Sequence, residues 1–258
     1  MIIKKLHFVI DKTIKNKSLR KFIFKKYINF SPKNSDVIVV VGGDGFMLQT
    51  LKKYQKVNKP FYGMNKGTFG FLMNKFDLKK LVKKVNKSKL IKVSPISMNV
   101  TTKNNIKKRA IAINEISLLR QSRQTASLKI MCGSKILIKK LISDGVLIST
   151  PAGSTAYNLS VHGPILSLNS NKIAVTPISP FRPRRWKGKV LSFSQTIKIK
   201  NLNINKRPVS VVADNKETRN IKSVTIKVDK RIRFTLLYDK NNSLTKKIKL
   251  EQLRKQIK

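Results

Sequence analysis

The chain has 258 residues, enough to bury a sizeable core in one large domain or two smaller ones. Its 57 Lys and Arg against 11 Asp and Glu leave a formal charge of +46, but the lysines are spread from Lys4 to Lys258 instead of being gathered around stacking aromatics; this speaks against a nucleic-acid partner and for a solvated surface that loosely attracts anionic substrates. A single cysteine, Cys132, excludes an internal disulfide, the two histidines stand far apart, and neither a membrane span nor a secretory leader is visible, so a cytoplasmic protein without membrane contact is expected.

Apolar and β-branched runs predict strands at 6–10, 36–41 and 60–64, and helical spacing predicts helices at 19–30, 46–54 and 78–85. This alternation describes an α/β domain with a parallel sheet over residues 1–90, with ligands expected at the carboxyl ends of the strands. There the second strand runs into Gly42-Gly43-Asp44-Gly45. The glycines permit close backbone approach and positive φ, and turn amides beside a helix N-terminus make an anion site. Asp44 would repel a phosphate unless it handles a proton or a metal ion, which points to phosphoryl chemistry. Only 11 of the 258 residues are acidic, about one in 23, so acids beside Gly or Asn stand out: Asp44, Glu115, Asp144 and Asp214. A second loop, Asn65-Lys66-Gly67-Thr68-Phe69-Gly70-Phe71-Leu72, follows the third strand and is expected to meet the first turn, with Phe71 beside a ligand ring. A plain turn whose phenylalanines plug the core is the alternative.

From residue 91 the texture changes to short β-rich runs at 96–101, 109–119, 126–131, 135–142, 146–149, 209–213, 223–228 and 232–237, which predict an all-β sandwich-like domain over residues 91–240. Asn114-Glu115 falls inside one such run, where alternation lets only one of the pair be buried. Glu115 is either a solvated face or, with Asn114, a nucleoside contact, since Asn pairs with adenine edges and a carboxylate accepts from ribose hydroxyls. The run from Asp144 to Ser160 leads a strand into Pro151-Ala152-Gly153-Ser154-Thr155 and a short helix start. Capping explains one hydroxyl but not the cluster of Ser149, Thr150, Ser154, Thr155, Tyr157, Asn158 and Ser160, which offers donors to phosphates and a ring to a base. Ser154 as a hydrolase nucleophile is disfavoured, because His162 lacks a nucleophile-elbow context. In the tail, Leu250, Leu253 and Ile257 predict a short amphipathic helix docking on a neighbouring surface.

Taken together, Gly42 to Gly45, Asn65 to Leu72, Asn114-Glu115 and Asp144 through Ser160 resemble the motifs of the NAD kinase family, in order, over most of the chain. Phe46-Met47-Leu48 and His162-Gly163-Pro164-Ile165 are similar to a bacterial subgroup of it. The resemblance implies the α/β-then-sandwich fold, a tail (residues 241–258) that packs back on the N-terminal domain, and a homodimer or homotetramer in which the Asp144 position completes a neighbour's site. It further implies transfer of the ATP γ-phosphoryl group to the 2′-hydroxyl of the adenosine ribose of NAD. Asp44 is the implied base, with Gly42, Gly43, Gly45 and residues 153–155 holding phosphates, and Asn114, Glu115, Asp144, residues 155–160 and Asn215 around the dinucleotide. Mg²⁺ or another divalent cation rides on ATP, since the chain offers no compact carboxylate cage. Two rivals stand: a diacylglycerol-type lipid kinase, which shares the Gly-Gly-Asp-Gly turn, and a non-catalytic basic nucleic-acid-binding module.

Overall fold

A computed structural model describes residues 2–14, 17–67 and 70–240. The expected tail helix and Thr68-Phe69 lie outside them. In chain order the elements are β1 (Leu6–Ile10), α1 (Lys17–Lys26), β2 (Val37–Gly42), α2 (Asp44–Lys53), β3 (Phe61–Asn65), β4 (Asn74–Lys75), α3 (Leu81–Lys87) and β5 (Lys89–Val93). Then follow β6 (Ile96–Thr102), β7 (Lys107–Ala112), β8 (Glu115–Arg120), β9 (Ala126–Cys132), β10 (Lys135–Ser143), β11 (Gly145–Ser149) and the four-residue α4 (Tyr157–Ser160). The remainder is β12 (Lys172–Ile178), β13 (Lys189–Ser192), β14 (Ile197–Asn201), β15 (Val209–Ala213), β16 (Lys216–Thr218), β17 (Ile221–Val228) and β18 (Phe234–Tyr238). Two units result, one of Met1–Val93 with the chain from Phe234, the other of Ser94–Arg233.

In the first unit β1, β2, β3 and β18 run parallel in that order, β5 closes the sheet antiparallel to β18, and β4 pairs with β3. Every residue of β2 is buried. Val37, Val39 and Val41 share a core with Ile23 of α1 and with Leu81 and Val85 of α3, while α2 packs on the same strand and carries the buried Met47 and Leu51. Burial of both strand faces is why the run reads as continuously apolar, and each such side chain contributes about 1.5–3 kcal/mol. The strand expected at 232–237 forms as β18, but in this sheet and not in the antiparallel ones. Side chains hold it there: Asn74 Nδ2 donates to Leu237 O (2.9 Å), Asp239 N donates to Asn74 Oδ1 (2.9 Å), and Tyr62 Oη donates to Asp239 Oδ1 (2.8 Å).

The second unit is two antiparallel six-stranded sheets, β10-β9-β14-β17-β6-β7 and β13-β12-β11-β8-β15-β16. Their inward residues, among them Met98, Leu128, Ile130, Ile199 and Ile226 from one and Leu118, Val146, Ile148, Val175 and Val211 from the other, form one core, which is the expected sandwich. The run expected as one strand at 109–119 is two: β7 lies in the first of these sheets and β8 in the second, so the chain changes sheets at Ile113-Asn114. Strands β12, β13 and β14 were not anticipated. Among the described residues no helix is long and apolar enough to cross a membrane.

β11 lies between β8 and β12 with Gly145 at its start, where a Cβ would stand 1.9 Å from the carbonyl oxygen of Leu118. Backbone cannot yield there, so Gly145→Ala is expected to lose about 1–3 kcal/mol of stability in thermal or chemical denaturation. Gly43→Ala, whose Cβ would meet nothing within 4 Å, should lose distinctly less; equal losses would show that the Leu118 contact is not what demands glycine.

Candidate active site

α2 begins directly where β2 ends. Gly43 is its N-cap, with φ −104° and ψ −179°, and supplies no side chain to cover the helix N-terminus, whose dipole favours an anion. None of Gly42, Gly43 and Gly45 takes a positive φ, so the conformational freedom expected of them goes unused and space is what they provide. A Cβ on Gly42 would meet Phe46 Cδ1 at 2.7 Å, whereas one on Gly43 or Gly45 would meet no atom of the described residues within 4 Å. Room for a ligand therefore lies along the last two.

Asp44 is the first residue of α2 and is half-buried. Its Oδ2 accepts the N–H of Phe71 at 2.7 Å and its Oδ1 that of Leu72 at 3.0 Å. Gly70 makes this approach possible, since a Cβ there would sit 2.9 Å from Asp44 Oδ1. Lys66 N also donates to Gly42 O at 2.8 Å, so the two glycine loops meet at one edge of the sheet as expected. Phe71 thus reaches Asp44 through its main chain. Its carbonyl accepts from the buried Tyr238 hydroxyl at 3.2 Å, and burial together with the charge of Asp44 holds that phenol well above its usual range, a fixed donor. The Phe71 and Leu72 amides thus orient the Asp44 carboxylate, a group whose chemistry is to accept a proton.

In the second unit the functional candidates converge on the corner between β7 and β8. Asp214, in the turn after β15 with φ 52°, accepts from Ile113 N at Oδ2 (2.9 Å) and from Asn114 N and Glu115 N at Oδ1 (2.9 and 3.3 Å), and its own N–H donates to Glu115 O at 3.1 Å. Thr150, following β11, joins them: its N–H donates to Asn114 O (2.9 Å) and its hydroxyl to Ile113 O (2.6 Å). β8 lies between β11 and β15, which is why these three turns share an edge. Alternation would bury one of Asn114 and Glu115 and expose the other; at such a corner it is interrupted, and both are half-buried. Asn114 Oδ1 and Glu115 Oε2 are both buried without a hydrogen-bond partner among the described residues, a cost of about 1–3 kcal/mol for each group that a ligand donor would remove. Burial, and after it the charge of Asp214, raises the Glu115 carboxyl to about 7.

Part of the 150–160 run serves the fold instead of a ligand. A Cβ on Gly153 would stand 2.3 Å from Asn114 O, and Gly153 N donates to Thr150 Oγ1 at 3.2 Å. Ser154 Oγ donates to Pro151 O (2.8 Å) and accepts from Leu166 N (3.1 Å), so the phosphate-holding role expected of these two is spent inside the protein. Nor does a Ser or Thr cap α4, whose N-cap is Ala156. Asn158, expected to face the ligand, is 0% exposed. Its Nδ2 donates to Pro164 O (2.9 Å) and its Oδ1 accepts from Thr176 Oγ1 (2.7 Å), so it fastens the loop. Thr155 is buried, Ala156, Tyr157 and Leu159 are half-buried, and Ser160 and Asn215 are exposed.

Asp144 is not brought to this corner. β8 and β11 pair with Ser149 opposite Glu115 and Gly145 opposite Leu119, so the five residues of β11, about 17 Å of strand, separate Asp144 from the Glu115 end, and it forms an ion pair with Arg120. Sequence reasoning singled out Asp214 through the scarcity of acids but did not see it as an anchor; it named Thr150 among the hydroxyls offered to phosphate, whereas the fold spends it on Ile113 O and Asn114 O, and it missed Tyr238, which carries no local signature of its use.

The family model for the ATP-NAD kinase N-terminal domain matches residues 4–88, and that for the ATP-NAD kinase C-terminal domain matches residues 113–238. The NAD kinase of Brucella suis biovar 1 (strain 1330) is 43% identical over 249 residues, 96% of this chain and 97% of that protein. Two solved structures share the fold. Yeast NADH kinase complexed with NADH has a TM-score of 0.81 at 20% identity, covering 99% of this chain and 89% of its own, and an NAD kinase from Archaeoglobus fulgidus in complex with ATP has a TM-score of 0.76 at 24% identity, covering 95% and 99%. Matched by both domain models in order and by a relative of 43% identity over nearly its whole length, the chain belongs to the NAD kinase family.

Proposed function

We propose that the chain is an ATP-dependent phosphotransferase that moves the γ-phosphoryl group of ATP to the 2′-hydroxyl of the adenosine ribose of NAD, producing NADP. The observation that carries the mechanism is the Asp44 carboxylate, oriented by the Phe71 and Leu72 amides beside two glycines that leave open space. As the ribose oxygen bonds to the γ-phosphorus, Asp44 takes the hydroxyl proton, the bond to the bridging oxygen breaks and ADP leaves. Backbone of Gly42, Gly43 and Gly45 at the α2 N-terminus lies against phosphate. The buried Glu115 Oε2 accepts from a ribose hydroxyl and Asn114 Oδ1 accepts from the dinucleotide, satisfying the atoms the fold leaves unpaired; Thr155, Ala156, Tyr157, Leu159, Ser160 and Asn215 line it.

Among the described residues no group of three carboxylate, histidine or cysteine side chains is gathered to hold an ion. The divalent cation, Mg²⁺ or another, belongs in this reading to the substrate ATP and neutralises its phosphate charge. We take the chain to act in the cytoplasm as a homodimer or homotetramer. What supports a second copy is the place of Asp144, at the far end of β11 from Glu115, which fits the family resemblance in which this position serves a neighbouring subunit's site. Family membership favours neither a lipid kinase nor a nucleic-acid-binding module.

Asp44→Asn is expected to lower kcat for NADP formation about 10²- to 10⁴-fold while calorimetry shows NAD binding largely retained; near-normal turnover would remove Asp44 as the base. An ionised Glu115 accepts from a hydroxyl roughly twice as strongly as a protonated one, so KM for NAD should fall as pH rises through about 7, and Glu115→Gln should have a raised and pH-flat KM. Stability runs the other way. The folded carboxyl titrates above its unfolded value of 4.5, so the stability it contributes is complete below that value and is lost as pH rises through about 7. The Tm of Glu115→Gln should accordingly gain on that of the parent across this interval and keep the advantage above it, and a constant Tm difference from acid to neutral pH would contradict the raised titration.

A further inference from the structure

The corner that carries Asn114 and Glu115 is built against the habit of a strand. Successive N–H groups of an extended chain point to opposite sides, yet those of Ile113, Asn114 and Glu115 all end on one carboxylate, that of Asp214. Three amides turned toward one point form an anion-binding concavity, and without an anion at its focus they would repel one another and relax. The position favours its occupant: at φ 52° Gly, Asn and Asp sit most readily, and of these only Asp brings a charge.

We infer that Asp214 is a positioning residue of this enzyme, whose carboxylate fixes the Ile113-Asn114-Glu115 corner and thereby aims Asn114 Oδ1 and Glu115 Oε2 at the bound dinucleotide. The inference rests on the reading that these two atoms contact NAD. Asp214 also places its negative charge behind Glu115, the one charged neighbour found to act on that carboxyl among the described residues. Shape and charge are separable. Asp214→Asn keeps the left-handed turn and one acceptor oxygen but loses the charge; Asp214→Gly keeps the turn and removes the clamp altogether.

The test is steady-state kinetics of both variants beside Glu115→Gln, with Tm recorded for each. Asp214→Asn is expected to raise KM for NAD about 10- to 100-fold, the range for lost hydrogen bonds to a charged group, with kcat and the KM for ATP changed far less, and to move the midpoint of the KM–pH profile to lower pH. Asp214→Gly should raise KM further and also shift the midpoint. A general loss of packing, which would also lower the midpoint by exposing Glu115, is told apart by an accompanying fall in kcat and rise in the KM for ATP. An unchanged KM and midpoint in Asp214→Asn, while Glu115→Gln does alter KM, would overturn the role of Asp214 and leave the site reading intact. If Glu115→Gln also leaves KM unchanged, the site reading fails and takes this inference with it. A fall in kcat at constant KM would overturn it as well. Should either variant not fold, amide hydrogen exchange of the unaltered chain decides: the 113–115 amides should be protected and become more so with NAD, and rapid exchange there would overturn the clamp.

Discussion

Backbone amides that end on a carboxylate hold both functional corners of this chain. Such bonds are roughly twice as strong as those between neutral groups, and they can fix a loop that no ladder pairs. At Asp44 two of them draw the loop after β3 onto the start of α2; at Asp214 three of them bend the chain from one sheet of the sandwich into the other. In a protein with 11 acids against 57 bases the same bond also serves the scaffold: Asp36 takes the amides of Lys4 and Lys5, and Asp229 takes that of Arg231 together with the Arg109 and Arg231 guanidinium groups. What sets Asp44 apart is its place at a helix N-terminus beside glycines that face open space.

The glycines divide by what a side chain would strike. At Gly42, Gly70, Gly145 and Gly153 the protein itself occupies the position of a Cβ, whereas at Gly43 and Gly45 nothing among the described residues does. The first group lets segments of the fold approach one another; the second leaves room for something else. Asn114 Oδ1 and Glu115 Oε2 tell the same story in polar terms, since a fold that spends the hydroxyl of Ser154 and the amide of Asn158 internally leaves these two buried atoms without partners among the described residues. Unused volume and unused hydrogen-bonding capacity are both expected where a ligand completes the structure.

Legibility followed the range of the interaction that decides each feature. β2 was readable because burial of both its faces writes an unbroken β-branched run, and Gly-Gly-Asp-Gly because its spacing is local. β12 was missed although it is an interior strand, since Pro177 argues against one; its β13 pairing spans only Lys172–Val175, so the missing N–H lies beyond it. β14 alternates Ile and Lys over Ile197-Lys198-Ile199-Lys200 and was legible but hidden in a lysine-rich background. The run at 109–119 looked continuous because an apolar segment passing between two halves of one core stays apolar through the bend.

By itself the sequence determined the class of fold, the order of its two textures, the phosphate turn with its acid, and membership of a family through motifs that are each contiguous. Tertiary structure alone decided which amides meet which carboxylate: Phe71 reaches Asp44 across 27 positions and Asn114 reaches Asp214 across 100. It likewise returned β18 to the first sheet and placed Asp144 at the strand end away from Glu115. The physical reason is common to all of these. Local propensity and hydrophobic period depend on neighbours in the chain, whereas a hydrogen bond between distant turns exists only once sheet order and register have brought them within 3 Å or so of each other.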